Sequence, residues 1–196
     1  MDSGLLCENF PGAQELLDRL CSAVALGEVH ETAEAVRKTL TDLLGSGAVR
    51  LPERYLRPIP DQYARRLLYR CPEGKFTAVV MAWGPGQKTP LHDHAGIWCV
   101  EGVVSGAMLV ERYDLREEAE GIYRFEKVEE MTAGVGDSGC LIPPYEYHIL
   151  GNSSSDETSV TLHVYGGEMD HCCIFEPKDR EGWYRRVEKS LAYTLD

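Results

Sequence analysis

Short segments rich in β-forming residues fill the chain after about residue 63, and they restrict its fold more than any other feature. Seven of them are separated by Gly, Pro and Asp residues: ARRLLYR, KFTAVVMAW, GIWCVEGVVSG, AMLVERYDL, GIYRFEKVEEM, GCLIPPYEYHIL and SVTLHVYGG. Short strands at regular spacing, with turn residues between them, are typical of a β-sandwich or β-barrel and not of βαβ units. The predicted fold class is therefore mostly β.

Two amphipathic helices are predicted ahead of these strands. Residues 13–26 place leucines and other apolar residues at helical spacing, and residues 31–44 repeat the pattern. Gly27 and Gly45 follow the two segments, as glycine commonly follows the C-terminus of a helix. The sequence thus predicts two N-terminal helices in front of a β-barrel.

The length of the chain limits the number of domains. Its 196 residues correspond to about one domain at the usual ~100–200 residues each. We therefore expect a single domain over 1–196, with a helical N-terminal cap over 1–50 and a β-barrel core over 63–175.

The charge balance disfavours two classes of partner. Twenty Lys and Arg against 32 Asp and Glu give a net charge of −12, whereas nucleic acids and anionic membranes are bound by basic surfaces. No apolar run approaches the ~20 residues that span a bilayer, and the N-terminus lacks the basic-then-apolar layout of a signal peptide. We expect a cytoplasmic monomer that binds neither nucleic acid nor membrane.

The cysteines do not predict a disulfide framework. There are seven of them, none at CxxC spacing, and an odd count in an intracellular protein argues against both disulfides and a zinc knuckle. Most are expected to be small buried residues.

The pair His92-Asp93-His94 is the first sign of a metal site. In an extended segment both imidazoles point to the same face, about 7 Å apart along the strand. Imidazole nitrogens bind metals such as zinc at about 2.0–2.1 Å, so two histidines on one face can share an ion. Solvated strand histidines are the alternative for an isolated pair.

The surrounding residues strengthen this interpretation. Two spaced patterns resemble the conserved motifs of the cupin superfamily, and they consist of Gly86, His92, His94, Cys99 and Gly106, followed by Gly136, Pro143, His148 and Asn152. Cupins often have a carboxylate at the place of Cys99. The resemblance implies a cupin-type β-barrel, or jelly roll, in which His148 is the third metal ligand beside His92 and His94.

A cysteine at this place narrows the resemblance to one group of cupins. The segments HDHAGIWC, YARRLLY, AWGPG, TLHVY and EMDHCCIF are similar to those of the thiol dioxygenases, from about residue 63 to 175. These enzymes add both atoms of O₂ to a thiolate bound at Fe(II). The resemblance implies metal ligation by His92, His94 and His148, binding of the substrate carboxylate by Arg65 with Tyr63, catalytic roles for Thr161, His163 and Tyr165, and a thioether between Cys99 and Tyr165.

Strand alternation is consistent with these roles. Only one of the neighbours Arg65 and Arg66 can face the interior of a barrel; the resemblance selects Arg65, and Arg66 is expected to face outward. A packed inward row of core residues is the alternative for Thr161, His163 and Tyr165. Trp98, His171, Cys172 and Cys173 receive no catalytic role, and Cys172 is expected near the mouth of the pocket.

Several functions remain open at this point. An arginine rather than a glutamine at position 65 favours L-cysteine as the thiol, and 3-mercaptopropionate and mercaptosuccinate are the other candidates. The three histidines could also hold Zn²⁺ in a hydrolytic site, although Asp93, the candidate general base, is expected to point away. A cupin that binds a metal or small ligand without turnover is the non-enzymatic alternative.

Overall fold

The computed structural model describes residues 5–6 and 9–195, and Cys7 lies outside them. Within these residues the helices are α1 (Ala13–Val24), α2 (Val29–Gly45) and α3 (Glu53–Leu56). The strands are β1 (Leu5–Leu6), β2 (Ala64–Arg70), β3 (Thr77–Trp83), β4 (Leu91–His92), β5 (Cys99–Ser105), β6 (Met108–Ala119), β7 (Ile122–Ala133), β8 (Ser138–Leu141), β9 (His148–Gly151), β10 (Ser159–Tyr165), β11 (His171–Pro177) and β12 (Trp183–Ser190). The mostly β fold and the two N-terminal helices are confirmed.

The strands form two antiparallel sheets. The first sheet has the order β1-β2-β3-β10-β5-β8. The second sheet has the order β11-β12-β7-β6-β9-β4 and closes on itself, because β4 pairs back onto β11. A core between the sheets contains Met81 of β3, Val103 of β5 and Leu150 of β9, so the two sheets face one another.

The helices cover the outer face of the first sheet. Leu16 and Leu20 of α1 and Val36 and Leu40 of α2 are fully buried in one core with Leu162 of β10. None of the helical residues lines the pocket between the sheets. The helical segment therefore packs on the back of the sheet and not over the mouth of the pocket.

Two features differ from the segments predicted by sequence. The segment 139–150 forms two strands, β8 and β9, because Pro143 and Pro144 interrupt it. The last strand, β12, has mixed polar and apolar residues without the Val- and Leu-rich pattern of the others.

None of the described helices has the length and the apolar character that crossing a bilayer requires.

We predict that the core between helices and sheet supplies much of the stability. Leu40→Ala removes a side chain with no exposed surface and is expected to lower the free energy of unfolding by about 2–5 kcal/mol. Leu26→Ala, at 53% exposure, is the control and should change it by less than about 0.5 kcal/mol. Urea unfolding measures both, and equal effects would contradict this packing.

Candidate metal centre

Two of the predicted metal ligands lie opposite one another on paired strands. His92 ends β4 and pairs with His148, the first residue of β9, and their Nε2 atoms are 3.2 Å apart. His94 follows the end of β4, where Ala95 has a φ of 53°, and its ring centroid lies 5.1 Å from that of each of the other two. The chain is thus extended only as far as His92, and a turn brings His94 to the cluster.

The arrangement fits a metal ion. The ligand atoms of the three histidines all lie within 4.8 Å of one another. Two imidazole nitrogens about 2.1 Å from one ion, at an angle of about 100°, are about 3.2 Å apart, as the Nε2 atoms of His92 and His148 are. Nδ1 of His92 lies 3.0 Å from the carbonyl oxygen of Pro90. Because this oxygen can only accept, Nδ1 donates and Nε2 is left free for a metal.

Burial keeps the three imidazoles neutral. Removal from water lowers the pKa of His92, and it lowers the pKa of His94 and of His148 well below 6.5, with the neighbouring histidines adding to the shift. A neutral imidazole has a lone pair on one nitrogen, and this is the form that binds metals. A positive ion is the species that a cluster of three such lone pairs accepts best.

Arg65 lies in the wall of the same pocket as a buried cation with unused donors. Its side chain is on β2, 4% exposed, and Nη2 donates to the carbonyl oxygen of Met169 at 2.5 Å. Nε and Nη1 are buried without a hydrogen-bond partner, and no described carboxylate forms an ion pair with this guanidinium. The nearby Glu168 binds Arg70 instead, at 2.7 and 2.9 Å. A buried guanidinium with free donors is suited to an anionic ligand.

Arg66 and Tyr63 occupy the faces that alternation predicts. Tyr63 lines the pocket and stacks on Trp83 with ring centroids 4.3 Å apart. Arg66 lies outside the pocket, but it is 7% exposed rather than solvated. Its Nη1 donates to the carbonyl oxygen of Arg57 at 2.7 Å, because the segment after α3 covers this face of β2.

The inward side chains of β10 form a second group in the pocket. Trp83 Nε1 donates to Thr161 Oγ1 at 2.9 Å, and this oxygen is 2.8 Å from His163 Nε2. Burial lowers the pKa of His163 to about 3, so the imidazole is neutral. The rings of His163 and Tyr165 are stacked at 5.9 Å. Among the described residues His163 hydrogen bonds to Thr161 and not to the phenol of Tyr165, so His163 contacts Tyr165 by ring packing.

Cys99 and Tyr165 are direct neighbours across two strands. They are register partners in the pairing of β5 with β10, with 0% and 3% of their surface exposed. Burial raises the pKa of the Cys99 thiol and of the Tyr165 phenol well above their usual values. Both groups are therefore protonated at neutral pH.

Glu101 is a buried carboxylate that the sequence analysis missed. Its oxygens lie 3.5 Å from Nδ1 of His148 and 3.4 Å from Nδ1 of His163. Burial alone raises the pKa of Glu101 to about 8, whereas N–H groups directed at both oxygens favour its carboxylate form. Alternation along β5 could have located it, since a strand that turns Cys99 inward turns Glu101 to the same face.

The remaining residues lie away from the histidine cluster or at its edge. Asp93 points away, as expected, and accepts from the backbone N–H of Cys173 at 2.8 Å. Trp98 packs against the core on the helix side of the first sheet. It lies so close to Gly166 that a Cβ at position 166 would be 2.3 Å from the indole nitrogen of Trp98. His171 is exposed and contacts Asp170 at 2.6 Å. Cys172 lines the pocket, together with Lys189 and Leu191.

Comparisons with known proteins identify the family to which the chain belongs. A sequence model of the family described as cysteine dioxygenase type I matches residues 52–178. Cysteine dioxygenase type 1 of Rattus norvegicus is 28% identical over 129 residues, which cover 64% of this chain and 57% of the relative. The protein of the same name from Danio rerio is 25% identical over 182 residues, covering 82% of this chain and 86% of that protein. The chain thus spans little more than half the length of the rat relative that it matches.

One solved structure with a similar architecture is an uncharacterized conserved protein with a double-stranded β-helix domain from Klebsiella pneumoniae. It is 20% identical, with a TM-score of 0.45, and the match covers 62% of this chain and 91% of that one. This similarity carries no argument about function.

We predict that the histidine cluster binds one divalent metal ion per chain. Zn(II) added to metal-free protein should raise the melting temperature, because a ligand that binds only the folded state stabilises it. Because burial lowers the pKa of all three histidines, protons compete with the metal less than at an exposed histidine, and binding should persist at pH 6.

Metal content and thermal unfolding test this prediction. His148→Ala should lose the bound metal and the shift in melting temperature, and His30→Ala, an exposed histidine of α2, should keep both. Metal binding that is equal in the two variants, or that is lost already at pH 6, would contradict the assignment.

Proposed function

Because the chain belongs to the cysteine dioxygenase type I family, we propose that it is an Fe(II)-dependent dioxygenase that converts L-cysteine to cysteine sulfinic acid. The observation that carries the proposal is one pocket with a cluster of three neutral histidines and a buried arginine whose donors are unused. In the reaction the thiolate sulfur forms two S–O bonds and the O=O bond breaks. The sulfur is oxidised by four electrons and O₂ is reduced by four, so no other reductant is needed.

The proposed metal ligands are His92, His94 and His148. These three neutral imidazoles would hold Fe(II), which would supply the redox chemistry between the thiolate and O₂. Because all three proposed ligands are uncharged, the protein would leave the positive charge of the iron uncompensated, and this would favour binding of the anionic thiolate. The protein contributes the orientation of the substrate and the exclusion of water.

Arg65 is proposed to bind the carboxylate of the substrate. Its Nε and Nη1 donors lack partners in a buried wall, and a carboxylate would satisfy them with two charge-assisted hydrogen bonds. The Arg65 guanidinium stacks 4.9 Å from the ring centroid of Tyr193 and 5.9 Å from that of Tyr165, which limits its rotation. Tyr63, on the same face of the chain, would donate a further hydrogen bond to the carboxylate. The thiol end of the substrate is thereby directed to the histidines.

Tyr165 is proposed to act as a neutral hydrogen-bond donor next to the reacting atoms. Its raised pKa keeps the phenol protonated, and its ring lies 6.2 Å from that of His94. The phenol can donate to O₂ or to the substrate and return to the same state after the reaction. His163 packs parallel to Tyr165 and, held in turn by Thr161, maintains the position of the ring.

Oxygen uptake by the Fe(II)-loaded protein tests the proposed function. With L-cysteine we expect one O₂ consumed for each sulfinate formed, and L-cysteine should be preferred over 3-mercaptopropionate and mercaptosuccinate. Arg65→Ala should raise the KM for the thiol about 30-fold or more, because an unpaired buried charge partner costs about 2–5 kcal/mol.

Two controls make the result specific. Arg19→Ala removes a surface arginine paired with Asp42 and should leave the KM unchanged, and the iron content of both variants should match that of the wild type. Lack of O₂ uptake with all three thiols in iron-loaded protein would contradict the proposed function. Faster O₂ uptake with another thiol than with L-cysteine would identify that thiol as the substrate.

We also propose a covalent modification of this site, a thioether between Cys99 and Tyr165. A C–S bond would form between Sγ and the ring, and the thiol and ring hydrogens would leave as two protons and two electrons accepted by O₂. Their cross-strand pairing places them side by side. We predict that intact mass falls by two hydrogens after turnover in the wild type and not in Cys99→Ser. A mass that is unchanged after many turnovers would disprove the cross-link.

A further inference from the structure

Glu101 connects the two sheets at the site. It lies on β5 of the first sheet, in register with His163 on β10, and its side chain is 11% exposed. One carboxylate oxygen faces Nδ1 of His148, which belongs to β9 of the second sheet, and the other faces Nδ1 of His163. The carboxylate therefore lies between a candidate metal ligand and the imidazole that packs against Tyr165.

The hydrogen bonds of the two histidines determine which nitrogen carries the proton. With a metal ion bound between Nε2 of His148 and Nε2 of His92, which are 3.2 Å apart, the N–H of His148 would be on Nδ1. Trp83 Nε1 can only donate, so Thr161 Oγ1 accepts from it, and we assign the Thr161 hydroxyl as the donor to His163 Nε2 because this leaves the His163 N–H on Nδ1, facing Glu101. His163 then also has its N–H on Nδ1. Both N–H groups are directed at the oxygens of Glu101.

Three polar atoms at this place lack any other partner. Nδ1 of His148, Nδ1 of His163 and Oε2 of Glu101 are all buried without a hydrogen bond. Their separations of 3.4 and 3.5 Å exceed a good hydrogen bond by about 0.5 Å. One small movement of the carboxylate would satisfy them, whereas leaving them unpaired is costly in a buried site.

We propose that Glu101 is a positioning residue of the metal centre: it accepts the Nδ1–H of His148 and of His163, and so fixes the ring that binds the metal relative to the ring that packs against Tyr165. The inference rests on the proposed metal site. A carboxylate that accepts the outer N–H of a metal-binding histidine fixes its orientation and increases its basicity, and its loss typically weakens metal affinity 10–100-fold. Among the described residues, no other carboxylate forms an ion pair with a histidine of the pocket.

The surroundings of Glu101 allow it to be replaced. A second cavity, with an empty volume of about 1310 Å³ including its opening, lies beside it and is lined by Gly102, Met108 and Thr161 among others. Glutamine or leucine at position 101 can therefore adjust toward open space without displacing the histidines.

Metal affinity, measured by competition with a chelator in the absence of thiol, tests the proposal. Glu101→Gln and Glu101→Leu should bind Zn(II) 10–100-fold more weakly than the wild type, because glutamine can accept from only one histidine and leucine from neither. Glu111→Gln is the control, since that carboxylate binds the Tyr113 hydroxyl at 2.8 Å away from the cluster, and its affinity should be unchanged. Affinities equal to that of the wild type in both Glu101 variants would overturn the proposal.

A second measurement needs no variant. In the Zn(II) form of the wild type, nitrogen NMR of the histidine side chains should show the Nδ1–H tautomer for both His148 and His163, and the opposite tautomer at either would overturn the proposal. Both measurements are independent of turnover. A protein that binds the metal in this way but oxidises no thiol would contradict the proposed function and leave the role of Glu101 supported.

Discussion

The pairing of β10 between β3 and β5 determines the rest of the structure. Every residue of this strand is buried, on a strand with a neighbour on each side. Its alternation sends Val160, Leu162 and Val164 into the core under the helices. The residues between them face the second sheet, and they carry the hydroxyl, the imidazole and the phenol of the pocket. The same strand thus anchors the helical layer and supplies one wall of the site.

The pocket between the two sheets contains the groups that require an ion. The three histidines are neutral because they are buried, and the guanidinium of Arg65 is buried beside them without an anion. Desolvated groups of this kind are unfavourable until a ligand satisfies them. A cation at the histidines and an anion at the guanidinium would together complement the pocket. A thiolate that also has a carboxylate could bind the cation through its sulfur and the guanidinium through its carboxylate. This complementarity is the physical basis of the proposed function.

Sequence patterns predict the parts of the site that depend on local spacing. Alternation predicts that Arg65 and Arg66 lie on opposite faces of β2, and the resemblance to the cupin motifs predicts that His148 lies beside His92. Sequence patterns do not predict burial or hydrogen-bond partners that depend on tertiary packing. Arg66 is buried because a separate segment covers it, and the hydrogen bond from the Trp83 indole to Thr161 depends on two strands that are distant in the sequence. Glu101 was missed because its role depends on a histidine of the other sheet.

The site is divided between the two sheets in a way that bears on how such proteins diverge. The metal-binding histidines come from β4, the turn after it and β9, whereas Arg65 and Tyr165 come from the first sheet. Substitutions in the first sheet can therefore change the anionic group that the pocket accepts while the metal ligands stay intact. If the proposed roles hold, the metal ligands and the anion-binding residues lie on different strands and can change independently during evolution.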